Sequence, residues 1–178
     1  MFTLENACLV VIDVQGKLAE IVKDSNTVKG NIERLVQGMQ ALDVPILWLE
    51  QNPTGLGGTS PEIARHMSGK PIEKITFSAC RDSAFLDAVK DCGRTQFIIT
   101  GIETHICVYQ TARQLKEQGF EVEVVVDGVS SRSEENKAIG LSKMQALGIL
   151  PTSTEMILYE LLQRADHEKF KMILKIVK

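Results

Sequence analysis

The stretch Ala7-Cys8-Leu9-Val10-Val11-Ile12-Asp13 decides how the rest of the chain is read. Six consecutive apolar residues with no polar alternation suit a strand covered on both faces, the habit of central strands in parallel sheets. The run then stops on an acid. In open α/β sheets the ligand crevice lies beyond the carboxyl ends of the strands. Asp13 is therefore either a crevice residue or ordinary turn chemistry ahead of Gln15-Gly16.

Outward from this strand, short apolar runs alternate with amphipathic stretches, the mark of βαβ units. Strands are expected near residues 7–13, 45–50, 72–76, 96–101, 121–126 and 149–152. Between Thr27 and Leu42, the residues Val28, Ile32, Leu35, Val36, Met39 and Leu42 recur at gaps that form one helical stripe. Ser60-Pro61 reads as a helix start, Ser131-Arg132-Ser133-Glu134 as a capping box, and Gly93 and Gly119 as helix ends. The expected fold is α/β: a three-layer, doubly wound, Rossmann-like fold with a mainly parallel sheet of about six strands and right-handed crossovers. No repeat or linker interrupts this order, so one domain over residues 1–178 is expected.

A second stretch carries the chemistry. Gln96-Phe97-Ile98-Ile99-Thr100 is β-prone, and Gly101-Ile102-Glu103-Thr104-His105-Ile106-Cys107-Val108 then turns into a helix. A thiol in a first helical turn meets unpaired N–H groups that favour the thiolate; the alternative is a small apolar cysteine packed beneath the sheet. Lys74 is a solvated surface charge on local evidence alone. Together, Asp13 and Lys74 would supply what a nucleophilic thiol needs, a carboxylate to take its proton and a cation to keep that carboxylate ionised.

Composition bounds the partners. The formal net charge of −3 gives no case for nucleic acid or an anionic membrane. No apolar run is long enough to span a bilayer, and no secretory signal opens the chain. Cys8, Cys80, Cys92 and Cys107 lack the spacing of a disulfide framework or a zinc ribbon, so a cytoplasmic location is expected. His66, His105 and His167 do not pair at metal-ligand spacing.

Asp13, Lys74 and Gly-x-x-Thr-x-x-Cys ending at Cys107, in that order and spacing, resemble the isochorismatase-like cysteine hydrolase family over nearly the whole chain. Glu50-Gln51-Asn52-Pro53, Gly55-Leu56-Gly57 and Val129-Ser130-Ser131-Arg132 resemble its small single-domain branch. The resemblance implies a catalytic triad of Asp13, Lys74 and Cys107, an oxyanion hole from the backbone N–H groups of Glu103 and Cys107, and a cis peptide at Ile102-Glu103. It also implies a homo-oligomer. Nicotinamidases, which resemble this family, carry an Asp-x-His-x-x-His metal motif after the second strand, and this chain has none, so neither a metal nor another cofactor is expected.

Gln15, Gln51, Phe77, Thr104 and His105 are candidate pocket residues, with core burial the alternative for Phe77 and a structural role the alternative for His105. Asn52–Gly58 is too irregular for an element and reads as a surface loop or pocket rim; its glycines lack the Lys-Ser or Lys-Thr of a phosphate loop. Cys107 and Arg113 have the spacing of cysteine phosphatases, but on a glycine-free helix six residues turn a side chain by ~240°, away from the thiol. The terminal Lys169–Lys178 segment is amphipathic and suits a docked helix or subunit contact. The expectation is a metal-independent cysteine hydrolase acting on a small amide or related acyl substrate through a thioester. The alternative is a non-catalytic or redox-responsive oligomer that retains the pocket.

Overall fold

A computed structural model describes residues 1–178. In chain order the elements are β1 (Ala7–Ile12), α1 (Gly16–Ile21), α2 (Ser25–Ala41), β2 (Ile46–Gln51), α3 (Pro53–Leu56), α4 (Pro61–Ala64) and β3 (Ile72–Lys74). There follow α5 (Ser83–Cys92), β4 (Gln96–Ile102), α6 (Tyr109–Glu117), β5 (Glu121–Ser130), α7 (Glu134–Ala146), β6 (Leu150–Thr152), α8 (Thr154–Leu162) and α9 (Phe170–Val177). A 3-10 turn at Ala79–Arg81 precedes α5, and a π-helical turn at Thr104–Val108 leads into α6.

The six strands form one parallel sheet in the order β3-β2-β1-β4-β5-β6. β1 is central and wholly buried, as its unbroken apolar sequence requires. Its side chains part by alternation. Ala7, Leu9 and Val11 join the α2 stripe of Ile32, Leu35, Val36 and Met39, together with Leu158 of α8 and Ile173 of α9. Cys8, Val10 and Ile12 meet Phe85 of α5, Ala112 and Leu115 of α6, and Met144 of α7. Each such fully buried aliphatic side chain contributes roughly 1.5–3 kcal/mol, which is what ties a helix to its side of the sheet. The chain winds outward from β1 in both directions, so the order reverses between β1 and β4. That switch point leaves a crevice at the strands' carboxyl ends, where Asp13 and Cys107 lie.

The structure amends several local expectations. β3 ends at Lys74 rather than at residue 76, because the carbonyls of Thr76 and Phe77 fold back to accept from the lysine ammonium. β5 runs on to Ser130, beyond the expected end at residue 126, with its pairing to β4 shifted after Ile99 by a bulge. The Asp127 carboxylate is used instead to accept from the Thr154 N–H and hydroxyl at the start of α8. Within Asn52–Gly58, residues Pro53–Leu56 form a single helical turn, so that segment is not wholly irregular. The cap of α7 is Ser133, which accepts from the Asn136 N–H; Ser131 does not cap it and faces His105 instead.

Candidate active site

The site is assembled from four strand ends. Asp13 follows β1 in the left-handed region, φ 52°, which turns its carboxylate back under the crevice. Its Oδ2 accepts from Lys74 Nζ at 2.7 Å, and the lysine side chain is fully buried. The ammonium also donates to Gln51 Oε1 at 2.8 Å and to the carbonyls of Thr76 at 3.1 Å and Phe77 at 3.4 Å. Four acceptors around three N–H bonds satisfy the charge, a necessary condition because a buried cation without partners would be strongly destabilising.

Cys107 enters from the π-helical turn after β4 and is 8% exposed. Its thiol lies against the Asp13 carboxylate, and Sγ is 3.9 Å from Gln51 Oε1. The other Asp13 oxygen, Oδ1, is buried with no hydrogen-bond partner in the protein, so the carboxylate keeps one acceptor position vacant. Burial raises the Asp13 carboxyl above its ordinary range, opposed by Lys74. Burial and the Asp13 charge likewise push the Cys107 thiol up to about 12, outweighing Lys74. This reverses the sequence expectation. The resting sulfur is a thiol rather than a thiolate, because desolvation and a neighbouring anion outweigh the helix start.

Two close approaches shape this corner. A Cβ on Gly101, at φ 120°, would fall 2.1 Å from the Ile12 carbonyl oxygen, so glycine lets β4 draw against the end of β1. A Cβ on Gly140 would sit 3.0 Å from the His105 backbone, so glycine lets α7 close over the π-helical turn. The Ile102-Glu103 peptide is cis, and the Glu103 N–H donates to no backbone acceptor. The Glu103 carboxylate is held by the Arg132 backbone N–H at 3.0 Å and by Arg132 Nε at 3.1 Å.

A cavity of about 110 Å3 opens over the thiol. Asp13, Gln15, Gln51, Phe77, Glu103 and Cys107 line it, so the structure brings these sequence candidates together. Phe77 is 57% exposed at the mouth and is not a core residue. Gln15 fastens the wall: its Nε2 donates to the Gln51 and Gly57 carbonyls, and its Oε1 accepts from the Gln51 N–H. Thr104 and His105 are not in the wall. Thr104 is fully buried, and His105 Nδ1 pairs at 3.0 Å with Ser131 Oγ under α7. Arg113 pairs with Glu117, as the helical phase predicts. Sequence reading missed Leu18, Leu56, Ile102 and Ile106 as walls, and Arg132 as the anchor of Glu103; single apolar residues in short, unrelated segments carry no signal for a shared cavity. No group of three His, Cys, Asp or Glu side chains converges in a way that could hold a metal ion.

Residues 7–156 match the model of the isochorismatase domain. The chain belongs to the isochorismatase family. It is 36% identical over 174 residues to isochorismatase domain-containing protein 2 of Danio rerio, covering 97% of this chain and 87% of that protein. The structure of the MAR1 ribonuclease from Caenorhabditis elegans superposes with a TM-score of 0.92 at 34% identity, covering 99% of this chain and 91% of the other. YcaC from Pseudomonas aeruginosa, solved with hexane-2,5-diol and covalent acrylamide, gives 0.91 at 25% identity, covering 98% and 90%. The isochorismatase-family hydrolase fold thus extends over the whole sheet, including the strand ends that bear Asp13, Lys74 and Cys107.

Proposed function

We propose that this single-domain chain is a metal-independent cysteine hydrolase of small amides or related acyl compounds, with Cys107 as nucleophile, Asp13 as general base and Lys74 as electrostatic partner. The observation that carries this reading is the Cys107 thiol against a buried Asp13 carboxylate whose Oδ2 is held by Lys74 and whose Oδ1 has no partner. The carboxylate takes the thiol proton as sulfur attacks the carbonyl carbon and the carbonyl oxygen becomes the oxyanion. Backbone N–H groups of Glu103 and Cys107 receive that oxyanion. When the tetrahedral intermediate collapses, the carbon–nitrogen bond breaks and the leaving amine takes the proton from Asp13, leaving a thioester. Water then adds, Asp13 accepts its proton, the carbon–sulfur bond breaks and the thiol is restored as the acid departs. A thiol with a raised pKa suits this scheme because its proton moves during attack rather than beforehand.

The lack of a converging ligand set supports metal independence. The covalent acrylamide on the Pseudomonas aeruginosa relative is a small, uncharged, thiol-reactive amide, in keeping with such a site. The Caenorhabditis elegans relative is described as a ribonuclease; the apolar cavity here and the chain's net charge of −3 favour an acyl group over a polyanion. No helix is long and apolar enough to cross a membrane. Four free thiols favour a reducing cytoplasm. Ile75, 73% exposed beside Phe77, favours a homo-oligomer, which light scattering would reveal and a strictly monomeric mass at tens of micromolar would refute. The decisive experiment offers the protein a panel of small amides and, separately, single-stranded RNA. Amine release that Cys107→Ser abolishes is the expected result, whereas RNA cleavage unaffected by Cys107→Ser would overturn the reading.

A further inference from the structure

Resting on the proposal that Cys107 is acylated, we infer that the acyl group this site accepts is short, uncharged and free of polar substituents, and that carboxylate-bearing acids are excluded. Four features of the cavity converge on this.

The first is size. An apolar cavity of ~150 Å3 accepts benzene, and the one here is about 110 Å3. It therefore holds a tail of about four or five carbons. The second is the wall: Leu18, Leu56, Phe77, Ile102 and Ile106 enclose it with hydrocarbon.

The third is charge. The ionisable residues that line the cavity besides Cys107 are Asp13 and Glu103, both acidic. Lys74 stands behind Asp13 and is fully engaged, and Arg132 is engaged by Glu103; neither lines the cavity. An anionic tail would lose its hydration and gain no cation, beside the Asp13 carboxylate. The fourth is the state of the remaining polar atoms. Gln15 is committed at both ends of its amide, and Gln51 gives its Oε1 to Lys74 and one of its two Nε2–H bonds to the Ile75 carbonyl. That leaves one side-chain amide N–H, the second of Gln51, to meet a carboxylate or hydroxyl on the acyl chain. Leu56 and Phe77, 44% and 57% exposed, form the mouth, so the leaving group points to solvent and its character is far less restricted.

The test compares the N-acetylcysteamine thioesters of 3-methylbutanoic acid and malonic acid. The two share the carbonyl and the adjacent CH2, and differ by isopropyl against carboxylate. In each, the Cys107 sulfur forms a new carbon–sulfur bond, the bond to cysteamine breaks, and the thiol proton passes through Asp13 to the departing thiolate. Acylation is followed by the mass of the Cys107 peptide, and each rate is divided by that of the same thioester with a free thiol in solution. The 3-methylbutanoyl group should acylate at least about tenfold faster than malonyl, and an octanoyl thioester should also lag by about tenfold. Leu56→Lys, a change at an exposed position, should narrow the malonyl deficit by supplying a cation at the mouth. Equal normalised rates for 3-methylbutanoyl and malonyl, or a faster malonyl group, would overturn the inference while leaving Cys107 as the nucleophile. Acylation of Cys107 by none of the three thioesters would overturn the nucleophile reading itself, and the inference with it.

Discussion

The same apolar layer carries a cysteine at each end of the sheet, and the two behave oppositely. Cys92 closes α5 at the amino end of β4, half-buried, with its thiol donating to the Val89 carbonyl at 3.1 Å. The neighbouring Cys8 thiol, aided by Arg94, favours the Cys92 thiolate and lowers Cys92 below the ordinary thiol range. Cys107 at the carboxyl end is pushed up to about 12 by burial and Asp13. By thiolate population alone Cys92 would be the reactive cysteine. Yet Cys92 lines none of the main cavities, and the buried carboxylate oxygen without a partner belongs to Asp13 at the other end of the sheet. The comparison teaches that a nucleophilic site is recognised by where the proton can go and where the acyl group can sit, and that a low resting pKa supplies neither.

The largest expected effect separates the two thiols outright. With any amide that the protein turns over, Cys107→Ser should lower kcat/KM by at least ~10³-fold, and Cys92→Ser should leave it within about twofold. The reverse outcome would transfer the site to the amino end of the sheet. Next come the partners that Cys92 lacks. Asp13→Asn should cost at least ~10²-fold in turnover, the lower range for acid–base assistance. Lys74→Met should reduce activity similarly and also destabilise by about 3–5 kcal/mol in denaturant titrations, because it strands the Asp13 charge in the interior. The double variant Asp13→Asn with Lys74→Met should recover much of that stability and none of the activity. Recovery of activity would mean that the pair is structural.

A smaller, graded effect lies in the pH dependence. The thiolate is the nucleophile, so alkylation rises with pH until the thiol's pKa is passed and is level above it. Peptide-mapped iodoacetamide labelling of Cys92, whose pKa is lowered, should level off at a lower pH than an ordinary thiol. Labelling of Cys107 should start slower and climb about tenfold per pH unit through pH 10. A plateau at Cys107 below pH 8 would mean that Lys74 outweighs burial and Asp13. The smallest expected effect is none: exhaustive chelation should leave turnover unchanged, whereas restoration of lost activity by one added metal would contradict the absence of a converging ligand set.

Much of this was legible before any coordinates. The unbroken run of Ala7–Ile12 predicts a central strand buried on both sides, and the β-prone segments predict a sheet that matches the observed one in strand number, apart from boundaries at Thr76 and Asp127. Both boundary errors have one cause: a strand end is set by what its carbonyls and side chains bond to across the fold, here the Lys74 ammonium and the start of α8. Asp13, Lys74 and Cys107 stood out through their order along the chain. Their physical relation did not, since a lysine 61 residues from its aspartate has no local signature.

What the sequence determined by itself is therefore the layering, because hydrophobic periodicity acts within a single element and needs only neighbours along the chain. It also determined which residue types arrive at the strand ends. The tertiary structure alone decided that Lys74 is buried, that one oxygen of Asp13 is left vacant, and that Leu18, Leu56, Phe77, Ile102 and Ile106 meet in one small apolar cavity. Those properties depend on distances between segments far apart in the chain and on water excluded from between them. The thiol illustrates the difference: a helix start favours its anion in isolation, while burial against a carboxylate reverses that preference, and only the packed molecule contains the burial.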